Sequence, residues 1–255
     1  MIARLLAGVL LAGLAFAGPA RAAEPVILSE RLPSGLTVLV RENPSAPVVA
    51  VSVLVRVGSR WEREDNAGIT NLLQQVMVKG TQTRSALAIA EAAEDVGGSV
   101  SASGDTDASE IRGSGLSRHW QRVLELIADV ILRPSLPDPE IEAERRVVQS
   151  ALRSRADQPF QRAYDTLMER VYGAHPYSRP ILGRTAVVTR LDRTALLEHY
   201  RAFYRAGRTV VSVSGDISAP EVAAEVRRLF AEMPPGEGAV SEPSVAPSRP
   251  QGACW

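Results

Sequence analysis

The residues able to do chemistry are few and scattered. The three histidines, His119, His175 and His199, include no pair at the short helical spacing that turns two imidazoles toward one metal ion. Each reads as a packing or surface residue. The single cysteine, Cys254, cannot form an internal disulfide. It reads as an incidental tail thiol, with an intermolecular bridge as the functional alternative. Residues 140–155 are rich in Glu and Arg, Glu144 among them, and read as a solvated helix face. Asn71, Gln74 and Gln75 stand at i, i+3 and i+4, so a helix would carry three amides on one side. An amide oxygen is a poor zinc ligand beside imidazole or thiolate, and an amide accepts no proton near neutral pH, so it activates no water. The plain reading of the three is the polar face of an amphipathic helix. No Ser-centred elbow, phosphate loop, cysteine pair or dinucleotide fingerprint offers another activity.

The elements that would carry these residues alternate between strands and helices. β-rich runs at 26–31 and 36–41 flank Pro33-Ser34-Gly35 and predict a hairpin. Residues 48–57 are apolar on both faces at first, which predicts a central strand. Residues 68–78 and 85–96 predict helices, the first with Ile69, Leu72, Leu73, Val76 and Met77 on one face, the second closed by Gly97-Gly98. Runs at 99–103 and 108–113 around Gly104-Asp105 predict a second hairpin. Helices follow at 116–132, from Pro139 to about 155 with Asp138 as its N-cap, at 160–172, at 194–204 and at 219–233; residues 209–214 predict a strand. The expected fold class is α+β, a two-layer sandwich with a mostly antiparallel sheet covered by helices.

Composition and termini set further bounds. The chain has 255 residues, 45% hydrophobic and 23% charged, which excludes whole-chain disorder. Basic and acidic residues are equal at 29 each, so no basic excess points to nucleic acid. Residues 5–17 are an apolar run too short to span a bilayer. With Arg4 before the run and Ala20-Arg21-Ala22 after it, this reads as a signal peptide over 1–22, cleaved before Ala23. The expected product is periplasmic or secreted and carries no membrane anchor. A folded domain is expected over 23–233. Residues 234–255, with five prolines among Gly and Ser, read as a linker truncated before a second domain.

Six short motifs, in order, resemble one family. Leu32-Pro-Ser-Gly-Leu-Thr-Val resembles the opening hairpin of the insulinase/pitrilysin zinc peptidases, the inverzincins. Val57-Gly58-Ser59-Arg60 resembles the turn after their central strand. Residues 68–81, GITNLLQQVMVKGT, resemble their metal-site helix, with Lys79-Gly80-Thr81 matching its K-G-T element. Glu144-Arg145-Arg146-Val147-Val148 resembles their E-R-x-V-V helix. His175-Pro176-Tyr177 and Pro180-Ile181-Leu182-Gly183 resemble H-P-Y and P-I-L-G. The resemblance covers about residues 26–233, one homologous unit, where family members join two or more.

The resemblance implies a zinc site that these residues do not supply. Active members carry H-x-x-E-H, with a distal glutamate as third ligand. Asn71 stands at the first histidine, Gln74 at the general base, Gln75 at the second histidine and Ala151 at the third ligand; Glu144 alone remains as a nearby carboxylate. No zinc and no other cofactor is therefore expected. The implied role is a non-catalytic partner or peptide-handling subunit, paired with a catalytically active family member or with a second copy. If residues Val100, Ser101, Ala102 and Ser103 lie at a sheet edge, a peptide substrate could add to them as an extra strand; the other reading is a solvent-facing hairpin. The alternatives in function are a metal-dependent endopeptidase with an unrecognised site and a truncated gene remnant.

Overall fold

The structure is a computed structural model and describes residues 27–238. Six strands form one sheet: β1 (Ile27–Arg31), β2 (Thr37–Glu42), β3 (Val48–Val55), β4 (Ser99–Gly104), β5 (Ser109–Leu116) and β6 (Thr209–Gly215), in the order β1-β2-β6-β3-β5-β4. Four neighbouring pairs are antiparallel and one, β2 with β6, is parallel. The late strand β6 thus enters the middle of the sheet and separates β2 from β3. The α+β class and the mostly antiparallel sheet follow from this order.

Alternation along the strands makes one face of the sheet apolar. Val38, Val40, Val49, Val51, Val53, Ile111, Val211 and Val213 are all buried on it. Among the described residues eight helices accompany the sheet: α1 (Ile69–Met77), α2 (Ala86–Asp95), α3 (Trp120–Leu132), α4 (Asp138–Ala156), α5 (Pro159–Tyr172), α6 (Thr185–Val188), α7 (Arg193–Phe203) and α8 (Ala219–Leu229). α3 packs on β3 and β5, α1 on β4 and β5, and α8 on β2. The facing helix residues Leu72, Leu73, Val76, Leu124, Ile127, Ile131, Val222 and Val226 are fully enclosed in the same core.

Several element boundaries differ from the sequence reading. The helix expected from residue 116 starts at Trp120, because Leu116 still pairs with Val48 in the sheet and residues 117–119 form a single 3-10 turn. Asp138 is not an N-cap. Pro137 occupies that place, and no side chain closes this helix start. Ser85 and Asp192 do cap, accepting from the backbone N–H of Ala88 at 3.2 Å and of Ala195 at 2.8 Å. The last helix ends at Leu229 and continues as a 3-10 turn over Phe230–Glu232. The short α6 has no counterpart in the sequence reading.

The signal segment and residues 239–255 lie outside the described residues. The first residues of the expected linker are fastened to the domain. The carbonyls of Pro234 and Gly236 accept from Ala206 and Gly207, each at 2.9 Å, and the Gly236 N–H donates to Ser34 at 3.0 Å. Glu237 pairs with Arg56 at 2.6 Å.

Candidate functional site: the α1 helix and the β4 edge

α1 is held at its start by a buried carboxylate. Glu62, in the turn after β3, accepts from the backbone N–H of Gly68 at 2.7 Å and of Thr70 at 2.9 Å. Its two oxygens satisfy two of the N–H groups that a helix start leaves without a partner. Gly68 has φ 96°, and a Cβ on it would lie 2.7 Å from the carbonyl oxygen of Leu182, so only glycine lets the 180–183 loop approach. Thr70 Oγ1 lies 3.1 Å from Nε2 of the buried His199 on α7. Burial pushes the Glu62 carboxyl up to about 7, against the pull of its two backbone donors. Burial also pulls His199 down to about 3, with Arg63 adding repulsion, so the imidazole is neutral.

The three amides of α1 do not share one surface. Asn71 and Gln75 are half-buried, whereas Gln74 is fully enclosed. The polar face expected for these three is broken at Gln74, whose side chain points inward. Its Nε2 donates to Ser109 Oγ, which in turn donates to the Val57 carbonyl at 2.6 Å. Gln74 Oε1 has no hydrogen-bond partner among the described residues. Gly104 on β4 makes room for this amide: a Cβ there would lie 2.3 Å from Nε2. Ser109 was missed in the sequence reading. Its place in the alternation with Ile111 is the signal that it faces the core.

α4 lies beside α1. Lys79 Nζ, just past the end of α1, pairs with Glu144 Oε1 of α4 at 3.1 Å. Ala151, two turns further along α4, is exposed. Asn71, Gln74, Gln75 and Ala151 together offer three amides and a methyl, with no imidazole, thiolate or carboxylate among them, so they do not fit zinc. Among the described residues no group of three or more His, Cys, Asp or Glu is placed to hold a metal ion. The K-G-T element has a structural use. Thr81 Oγ1 donates at 2.8 Å to the buried Asp129 of α3, which also pairs with Arg84.

β4 is the last strand of the sheet and pairs only with β5. Ser101 and Ser103 are exposed, whereas Val100 and Ala102 are half-buried toward the helices. Residues 100–103 thus lie on the end strand of the sheet, with α1 packed on the same strand.

Comparison with known proteins places this fold. Residues 37–185 match the family model described as insulinase (peptidase family M16). The chain belongs to the insulinase family, peptidase family M16. It is 30% identical over 207 residues to a protein of Rickettsia felis described as an uncharacterized zinc protease, covering 81% of this chain and 50% of that one. Among solved structures, a peptidase M16 inactive domain from Pseudomonas fluorescens superposes with a TM-score of 0.80 at 22% identity, covering 87% of this chain and 54% of the other. The periplasmic protease PqqL of Escherichia coli gives 0.76 at 20% identity, covering 86% and 25%. At these identities the structures speak to the fold alone. The chain spans about half the length of the curated relatives it matches.

Proposed function

We propose that this chain is an exported, non-catalytic member of the insulinase family that serves as a partner or peptide-handling subunit of a zinc peptidase. The observation that carries the reading is the fate of α1. Where the resemblance asks for two imidazoles and a general base, the helix has Asn71, Gln75 and an inward-turned Gln74 tied to Ser109. On α4 the third-ligand position is the methyl of Ala151. Such a helix neither holds zinc nor activates water, while the edge strand beside it stays open to an added peptide strand.

The partner is a histidine-bearing member of the same family or a second copy of this chain. The large apolar side chains left in solvent do not gather on the open face of the sheet. Four of the eight most exposed line α5, where Phe160 is 75% exposed, Leu167 55% and Val171 45%, with Tyr164 between them on the same side; Ile27, Val48, Leu87 and Val147 are scattered over other elements. A solvated helix stripe of this kind marks an interface. Export is supported by the signal-like residues 1–22. No helix among the described residues is long and apolar enough to cross a membrane.

A native pull-down from the exported fraction, with mass spectrometry of the retained proteins, tests the reading. We expect a histidine-bearing family member near one-to-one with the bait, lost on Leu167→Arg. Recovery of the bait alone as a monomer by light scattering, or with chaperones only, would contradict it.

A further inference from the structure

Part of the sheet face that the helices leave uncovered is lined by hydroxyls. A trough of about 370 Å³ runs across β6, β3, β5 and β4, walled by Ser52, Ser99, Ser101, Ser114, Ser212 and Ser214. Arg112 is its only charged lining residue. Register sets the order in one row: Ser212 pairs with Ser52, Ser52 with Arg112, and Arg112 with Ser101. A residue added opposite Ser101 would extend the same row on the same face.

The charge in this row is asymmetric. Arg112 pairs with Glu110 at 2.5 Å, but the Glu110 side chain is only 18% exposed and the Arg112 side chain 62%. Ser52 Oγ holds the same carboxylate at 2.5 Å. The anion is therefore recessed and fixed, whereas the guanidinium stands out over small neighbours. Glu110 occupies one edge of it, and a guanidinium carries five N–H donors in a planar fork.

We infer that β4 selects extended peptides carrying an acidic side chain opposite Ser101, with Arg112 and the trough hydroxyls receiving the carboxylate. An added strand would lie about 10 Å from β5, two strand spacings away. Long side chains reaching toward each other across Ser101 span that gap, and nothing larger than a hydroxyl intervenes. A lysine in the same place would meet Arg112 as a like charge. This inference rests on the proposed peptide-handling role of β4.

The test uses the full chain and labelled eight-residue host peptides of alternating Thr and Val, with Glu, Ala or Lys as central guest, followed by fluorescence anisotropy. The Glu peptide is expected to bind about threefold more tightly than Ala, the size of an exposed ion pair, and Lys more weakly than either. The Glu preference disappears in Arg112→Ala and reverses toward Lys in Arg112→Glu. Equal binding of all three guests, or a Glu preference that survives Arg112→Ala, overturns the selectivity and leaves strand addition standing. Binding of none of the peptides overturns strand addition itself, as does a β4-paired dimer that the peptides cannot displace.

Discussion

At Gln74 a long polar side chain is enclosed completely, with its amide nitrogen satisfied by Ser109 and its oxygen left without a partner. The Ser109 hydroxyl spends its one proton on the Val57 carbonyl, so it accepts from the amide, which fixes the amide orientation. Gly104 is the other half of this arrangement. Because the amide is confined on all sides, a methyl added at Gly104 has nowhere to push it. Gly104→Ala should cost about 1–3 kcal/mol, as overpacking does. Combining it with Gln74→Ala should remove most of that increment. Urea denaturation of the two single variants and the double variant measures the coupling. Simple additivity would show that the two residues do not compete for space. Periodicity in the sequence places Gln74 on the polar side of α1. What periodicity cannot show is that this side of the helix lies against β4 and β5 and is itself covered.

At the scale of the element, α1 depends on two buried titrating groups with opposite pH dependence. Glu62 ordinarily titrates at 4.5 and here at about 7. The stability from its neutral form is complete below 4.5 and is lost as pH rises to about 7. His199 ordinarily titrates at 6.5 and here at about 3. The stability from its neutral form is complete above 6.5 and is lost as pH falls toward 3. Each contributes a slope of about 1.4 kcal/mol per pH unit in its own window. Between 4.5 and 6.5 the slopes cancel. We therefore expect stability to be flat there, falling by about 2 kcal/mol from 4.5 to 3 and falling again between 6.5 and 7. Urea midpoints measured against pH test this, and His199→Gln should shrink the acid limb, leaving the smaller part from the ion-paired Glu110, Glu225 and Glu237. An acid limb unchanged in that variant would place the titration elsewhere.

The elements themselves were largely legible. The Val-rich alternation, the apolar face of α1 and the Gly97-Gly98 stop all report local geometry that the chain decides by itself. The misplacements have a physical cause. The helix start at Trp120 is displaced because Leu116 is held by its sheet partner Val48, a contact remote in sequence. The exposed stripe on α5 carries the same periodic signal as a buried helix, so pattern alone could not tell that no layer covers it. Arg112 stands in a strand whose alternation marks it as outward-facing, but its serine neighbours come from β3, β4 and β6.

At the scale of the molecule, one sheet face is closed by helices and the other carries a serine-rich trough bordered by the β4 edge. The insertion of β6 between β2 and β3 closes the sheet with the last strand of the domain. Arg56, Arg205 and Arg208 then fasten residues 234–237 beside that strand. Among the described residues the helices enclose one core, while an edge, a trough and the α5 stripe stay uncovered. The proposed reading turns on α1, a helix that would keep the place of a metal site without the ligands. The direct measurement is the zinc content of the purified native protein, by mass spectrometry of the metal after dialysis against buffered zinc. The account predicts no stoichiometric zinc, in the native chain and in Glu144→Ala alike. One zinc per chain, lost on Glu144→Ala, would contradict it.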